Sequence, residues 1–330
     1  MQAQVRPENV LKELDELWAS LGEQAGGPES HGVLRACAMT FIVATRQAED
    51  APAVREALAG LIREHPSRVI VVCLRSATEP LLEARVTAEC WLPFGGRQQI
   101  CCERIEITAG QANLPDLPPL LLALAAPGLP VVLWCRHAPL MEGAEFQRIA
   151  AVAQKLILDS STHPDAAWIL GRMAGLPAVA DLAWTRLTGW REIIARVFDD
   201  AGCRKRLAEL EELRISYAGE AIPVAGYYLA AWVISALGEL EIHFDAISEP
   251  RPSGSGVLGL TLAAPGWSVS LGQVDDSTLE TVVDSVRRRS TLPRPAEASL
   301  LREELGIAGR DRVYDRVLRL AAQMAGRQGR

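Results

Sequence analysis

Two apolar runs, Ala36-Cys37-Ala38-Met39-Thr40-Phe41-Ile42-Val43-Ala44 and Val69-Ile70-Val71-Val72-Cys73-Leu74, decide the fold. Each has the length of a strand and carries no charge, as a strand buried on both faces requires. Between them Asp50 stands at an N-cap position and Pro52 in a first turn, and Val54, Leu58, Leu61 and Ile62 recur on one helical face. Strand, helix and strand in that order make a βαβ unit and predict an α/β layer on a mostly parallel sheet.

Upstream, Val10, Leu14, Leu17, Trp18 and Leu21 share a stripe and predict an opening amphipathic helix, closed by Gly26-Gly27-Pro28. Downstream, Arg85–Leu92 and Gln98–Thr108 flank Pro93-Phe94-Gly95-Gly96 and predict a hairpin. A strand at Leu129–Cys135, a helix at Glu145–Lys155 and a short strand at Leu156–Asp159 complete an N-terminal α/β domain over 1–162. Helices at 164–174, 188–200 and 223–237 alternate with strands at 213–217 and 240–244. Two more strands, Val257–Ala263 and Trp267–Leu271, close around Pro265-Gly266, giving a second α/β domain over 163–290. Residues 291–330 predict two helices, at 298–306 and 310–325, forming a basic tail. From Arg287 onward eleven Arg stand against five Asp and Glu, about +6, so the rest carries about −13 of the net −7.

A length of 330 residues suits two domains. With 49% hydrophobic and 23% charged residues the chain is a folded one, neither disordered nor fibrous. The acidic balance argues against a nucleic-acid partner. The stretch Leu117–Trp134 is interrupted by Pro118, Pro119, Pro127 and Pro130, so no membrane span is expected, and the first eighteen residues lack the apolar core of a signal peptide. Seven Cys, an odd number mostly inside apolar runs, read as a reduced, cytoplasmic chain.

Catalytic motifs are missing. There are only three Lys (12, 155, 205) and none follows a Gly, which excludes a phosphate-cradling P-loop. Gly254-Ser255-Gly256-Val257-Leu258-Gly259 fits G-x-G-x-x-G, but it follows a Pro/Ser loop and runs into a strand, the reverse of a dinucleotide fingerprint. The five His are scattered, so neither a metal nor a cofactor is expected.

Three clusters remain as candidates. Ser67, Arg68, Arg136 and Ser160 sit at strand ends and could contact an anion; those after 135 and 158 lie at the carboxyl edge, where open α/β sheets bind ligands. Cys90 stands across the predicted hairpin from Cys101 and Cys102, which leaves a redox pair open, although buried structural thiols are the stronger reading since no Lys or His flanks them. Trp184, Arg186, Trp190 and Arg191 combine the two residue types that most often anchor interfaces. The alternative places Trp184 and Trp190 in the interdomain core and pairs Arg186 with Asp181.

Several phrases, in order, resemble one family: His65-Pro66-Ser67-Arg68-Val69-Ile70, Cys101-Cys102-Glu103-Arg104-Ile105, Leu129-Pro130-Val131-Val132-Leu133-Trp134-Cys135-Arg136, Leu156-Ile157-Leu158-Asp159-Ser160, Asp181-Leu182-Ala183-Trp184-Thr185-Arg186-Leu187-Thr188-Gly189-Trp190-Arg191 and Tyr228-Leu229-Ala230-Ala231-Trp232. They are similar to the OpcA family, the glucose-6-phosphate dehydrogenase assembly proteins. The resemblance spans about 30 to 290 and departs from the family phrase at Cys135, where a second Trp is common. It implies a non-catalytic partner and allosteric activator of glucose-6-phosphate dehydrogenase in the oxidative pentose phosphate pathway. The competing expectation is a sensor or enzyme of a sugar phosphate or nucleotide, working through the strand-end anion contacts.

Overall fold

The computed structural model describes residues 5–24, 32–46, 50–76, 80–93, 98–238, 240–250, 256–307 and 309–328. The predicted break at Gly26-Gly27-Pro28, the hairpin tip Phe94-Gly95-Gly96, and Gly254 and Ser255 lie outside them. In chain order the elements are α1 (Pro7–Gln24), β1 (Val33–Arg35), β2 (Met39–Thr45), α2 (Ala51–Ile62), β3 (Ser67–Leu74), β4 (Leu82–Trp91), β5 (Gln99–Ala109), α3 (Leu117–Leu124), β6 (Val131–Cys135), α4 (Ala144–Ala150), β7 (Lys155–Leu158), α5 (Ala166–Ala174) and β8 (Val179–Asp181). There follow α6 (Leu182–Thr185), α7 (Thr188–Val197), α8 (Ala201–Lys205), β9 (Glu212–Ala218), α9 (Val224–Leu237), β10 (His243–Ser248), β11 (Gly256–Ala264), β12 (Trp267–Asp275), β13 (Thr278–Val283), β14 (Val286–Thr291), α10 (Glu297–Gly306) and α11 (Arg312–Gln328). They form two units, Met1–Asp159 with Ala178–Ala180, and Ser160–Pro177 with Asp181–Arg330.

The first unit is the α/β layer expected from the βαβ pattern. Its sheet runs β1-β5-β3-β2-β6-β7-β8, and the pairs from β1 to β7 are parallel. β2 and β6 are buried at every residue, which accounts for their uncharged sequences. β4 joins antiparallel to β5 as the expected hairpin. Two prolines mislead a sequence reading: Pro118 and Pro119 occupy the first turn of α3, where proline is well tolerated, so the apolar stretch begins with a helix. The helix α4 ends at Ala150, short of Lys155, because Lys155 already belongs to β7.

The second unit is built on the six-stranded sheet β10-β9-β11-β12-β13-β14, antiparallel except between β9 and β10. The hairpin of β13 and β14 was not foreseen, since Arg287-Arg288-Arg289 reads as a solvated charge run. Asp284, with φ of 53°, takes the left-handed turn that joins those strands. The two C-terminal helices form close to where they were predicted. They are not a separate tail: α11 packs on α5 and α9 and buries Tyr314, Val317, Leu318 and Ala321, while α10 buries Leu300 and Leu301. The basic residues lie on the other side of these amphipathic helices. Among the described residues no helix is long and apolar enough to cross a membrane.

Candidate functional site

At the carboxyl edge of the parallel sheet, β2 has β3 on one side and β6 on the other, the switch point where open α/β sheets gather ligands. Arg136 and His137, directly after β6, meet Asp50 there. Asp50 accepts hydrogen bonds from Thr45 Oγ1 at 2.7 Å and His137 Nε2 at 2.6 Å, and it pairs with Arg136. Burial alone would raise the Asp50 carboxyl; the hydrogen bonds of His137 and Thr45 and the charge of Arg136 outweigh it and hold it below its usual value. Arg136 is therefore committed to a carboxylate of its own chain.

The other expected anion contacts do not converge on it. Ser67 and Arg68 begin β3, at the amino edge of the same sheet. Ser67 Oγ donates to His65 O at 2.7 Å. Arg68 is buried, with Nε donating to Glu103 Oε2 at 2.5 Å and a second nitrogen to Leu124 O at 2.8 Å. Glu103, itself buried, also pairs with Arg35 and accepts from Trp18 Nε1 at 2.8 Å. That cluster ties α1 to the sheet through a carboxylate that takes three charged or polar donors. Ser160 belongs to the second unit. Within the first unit, Ser67 and Arg68 thus stand at the opposite sheet edge from Arg136.

Cys90 and Cys101 are directly opposite in the β4–β5 register, with Cα atoms 4.1 Å apart, and they are joined as a disulfide. This corrects the reading of both as free structural thiols: opposed positions of an antiparallel pair bring the sulfurs within bonding reach. Cys102 points to the opposite sheet face, is buried and free, and burial pushes its thiol up to about 11.

The densest cluster is in the second unit. Asp181, fully buried, caps α6 by accepting from Ala183 N at 2.9 Å. It also accepts from Ser160 N at 3.0 Å, Ser160 Oγ and Tyr228 Oη at 2.7 Å. Tyr228 and Tyr314 place their hydroxyls 3.3 Å apart, and both rings meet Trp184 at centroid separations near 6 Å. Burial first, and the Asp181 charge second, push both phenols well above their usual value. The Arg191 guanidinium also lies over Trp184, 3.6 Å from the ring centroid. Thr185 Oγ1 donates to Asp181 O and to the buried Glu304.

The segment from Trp184 to Arg191 is thus not an open patch. Trp184 and Trp190 are 3% and 6% exposed, correcting the expectation of exposed Trp anchors. Trp190 and Arg186 instead line a cavity of about 750 Å³, together with His163, Glu220, Gln273 and Arg294. Tyr314 and Glu304 are not singled out by the sequence, and Tyr228 enters it only within a family phrase, since α9 is apolar nearly all round and its tyrosines look like core filling.

Against known families, residues 59–174 match the OpcA N-terminal domain of a "Glucose-6-phosphate dehydrogenase subunit", and residues 177–318 match its C-terminal domain. The chain is 31% identical over 222 residues to the "Putative OxPP cycle protein OpcA" of Synechocystis sp., which covers 61% of this chain and 46% of that one. Its counterpart in Synechococcus elongatus is 30% identical over 182 residues, 53% of this chain and 40% of that one. The chain therefore spans less than half the length of these relatives. Among solved structures, the 3-ketoreductase KijD10 of Actinomadura kijaniata overlays 88% of this chain and 97% of its own, at 12% identity and a TM-score of 0.47, too loose a likeness to carry an argument. With both domain descriptions matched in order, and the quoted phrases of the sequence falling inside or beside them, the chain belongs to the OpcA family.

Proposed function

We propose that this chain is a non-catalytic assembly partner and allosteric activator of glucose-6-phosphate dehydrogenase, working in the cytoplasm on the oxidative pentose phosphate pathway without a cofactor of its own. The observation that carries the reading is the ordered match of 59–318 to the two domains of a dehydrogenase subunit. The site geometry supports it: Arg68, Arg136, Asp50, Glu103 and Asp181 are each engaged by partners of the same chain, the arrangement of a framework. Arg186 and the surface around it remain the assigned dehydrogenase contact, with Trp184, Trp190 and Arg191 holding that segment from within. Co-purification with glucose-6-phosphate dehydrogenase, and its activity with and without this chain, test the reading. Co-elution with raised activity is expected; unchanged activity without co-elution, or turnover of glucose 6-phosphate by this chain alone, overturns it.

A second reading rests on the cavity lined by Trp190, Arg186 and His163, whose volume suits a phosphorylated sugar or nucleotide. Calorimetric titration with glucose 6-phosphate decides it: heat lost in Arg186→Ala supports a sensor, and absence of heat removes it.

A further inference from the structure

Among the described residues, the six-stranded sheet of the second unit is covered on one face only. Leu213, Ile215, Leu260, Leu262, Val269 and Leu271 alternate onto the covered face and are buried, and α9 packs there, with Gly226 close to Ile215. Their neighbours Arg214, Ser216, Thr261, Ala263, Ser268 and Ser270 alternate onto the opposite face and stay half-exposed. The middle of that face, across β11 and β12, pairs Gly259 with Gly272, Thr261 with Ser270 and Ala263 with Ser268, side chains small enough to let another sheet approach closely.

The margins of this face carry opposite charge. On β14, Arg287 and Arg289 flank Glu280 of β13, at 2.9 and 3.1 Å, leaving one net positive charge. On β9 and β10, Glu212 and Asp245 flank Arg214, at 2.5 and 3.3 Å, leaving one net negative charge. Ile247, 41% exposed, adds an apolar side chain at the negative margin.

We propose that this open face is the docking surface for a second copy of the chain. Six strands at ~4.8 Å spacing and about six residues of ~3.4 Å each give roughly 600 Å² per copy. Both copies together reach about 1,200 Å², where stable interfaces begin. Charge selects the symmetry. A two-fold axis parallel to the strands brings β14 of each copy over β9 and β10 of the other, so both charge contacts are attractive and occur twice. An axis across the strands would oppose like margins.

Sedimentation velocity at micromolar concentration is expected to give a species of twice 35.7 kDa. Ser270→Arg, which places an unpaired charge in the centre, should weaken dimerisation at least ~100-fold. Arg287→Glu with Arg289→Glu in one sample, and Asp245→Lys in another, should each leave folded monomers. Mixing the two should restore a dimer, because both contacts become complementary again. A monomeric wild type, a dimer indifferent to Ser270→Arg, or folded charge variants that do not recombine would overturn the proposal. A monomeric wild type whose Ser270→Arg variant loses glucose-6-phosphate dehydrogenase would also overturn it and assign the face to that enzyme. The dehydrogenase reading stands or falls separately, on co-elution and activation of the enzyme.

Discussion

Trp184→Ala separates framework from contact surface within the segment richest in Trp and Arg. The ring is 3% exposed and touches Tyr228, Tyr314 and Arg191. Truncating a buried Trp costs about 3–5 kcal/mol, and a desolvated guanidinium over an indole contributes about 2 kcal/mol of that interaction. Arg191 would lose its aromatic face while its Nε, buried and without a hydrogen-bond partner, stays in place. In a domain of about 150–250 residues each kcal/mol moves the melting temperature by about 2–4 °C, so Trp184→Ala should lower it by about 6–20 °C. The assay is a thermal melt followed by circular dichroism, with dehydrogenase activation measured on the same samples below the transition. Arg191→Met should couple to the Trp184 change by about 1–2 kcal/mol in a double-mutant cycle. A drop below about 2 °C for Trp184→Ala would refute a structural role for the ring.

Arg186→Ala, at the cavity wall, should leave the melting temperature within about 2 °C while reducing dehydrogenase activation, a split that a purely structural Arg186 cannot produce. Asp50→Asn should destabilise the first unit at neutral pH; because the folded carboxyl sits below its usual 3.8, its contribution is whole above that pH and is lost as pH falls through the folded value. The wild type and this variant should therefore converge in urea melts as pH drops below about 4, and a gap that widens on acidification would refute the pairing. Cys90→Ser should cost about 3 kcal/mol, from a disulfide whose partners stand 11 residues apart, and mass labelling should find two additional thiols only after reduction. Gly259→Ala should destabilise by about 1–3 kcal/mol, since its Cβ would meet Ser216 Oγ at 2.7 Å and Leu271 O at 2.9 Å; an unchanged melt would show that β11 can shift.

The parallel sheet was readable because β2, β6 and the run from Val69 to Leu74 of β3 are largely buried and carry no charge over strand-length runs. The hairpin of β13 and β14 was not, because an edge strand with one open face can carry three consecutive Arg without loss. The site was legible in its residue types and illegible in its pairings. Asp181 and Tyr228 lie 47 residues apart and Tyr228 and Tyr314 86, and nothing local encodes that they meet. Arg68 and Arg136 looked like spare cations because their acceptors, Glu103 and Asp50, are equally remote in sequence. The burial of Trp184 draws on α11 joining the second unit's core through Tyr314, where net charge alone suggests a separate tail.

The first unit takes its last strand, β8, from beyond an excursion of the chain: Leu156 N of β7 donates to Ala178 O at 3.0 Å, and residues 160–177 in between belong to the second unit. During synthesis at ~5–20 residues per second, β7 therefore waits about 1–4 s with a bare edge before its neighbour is made. A nascent chain stalled within α5 offers a buried-type strand with no cover, a species that holdase chaperones would recognise and that cutting the gene after Asp159 would make permanent.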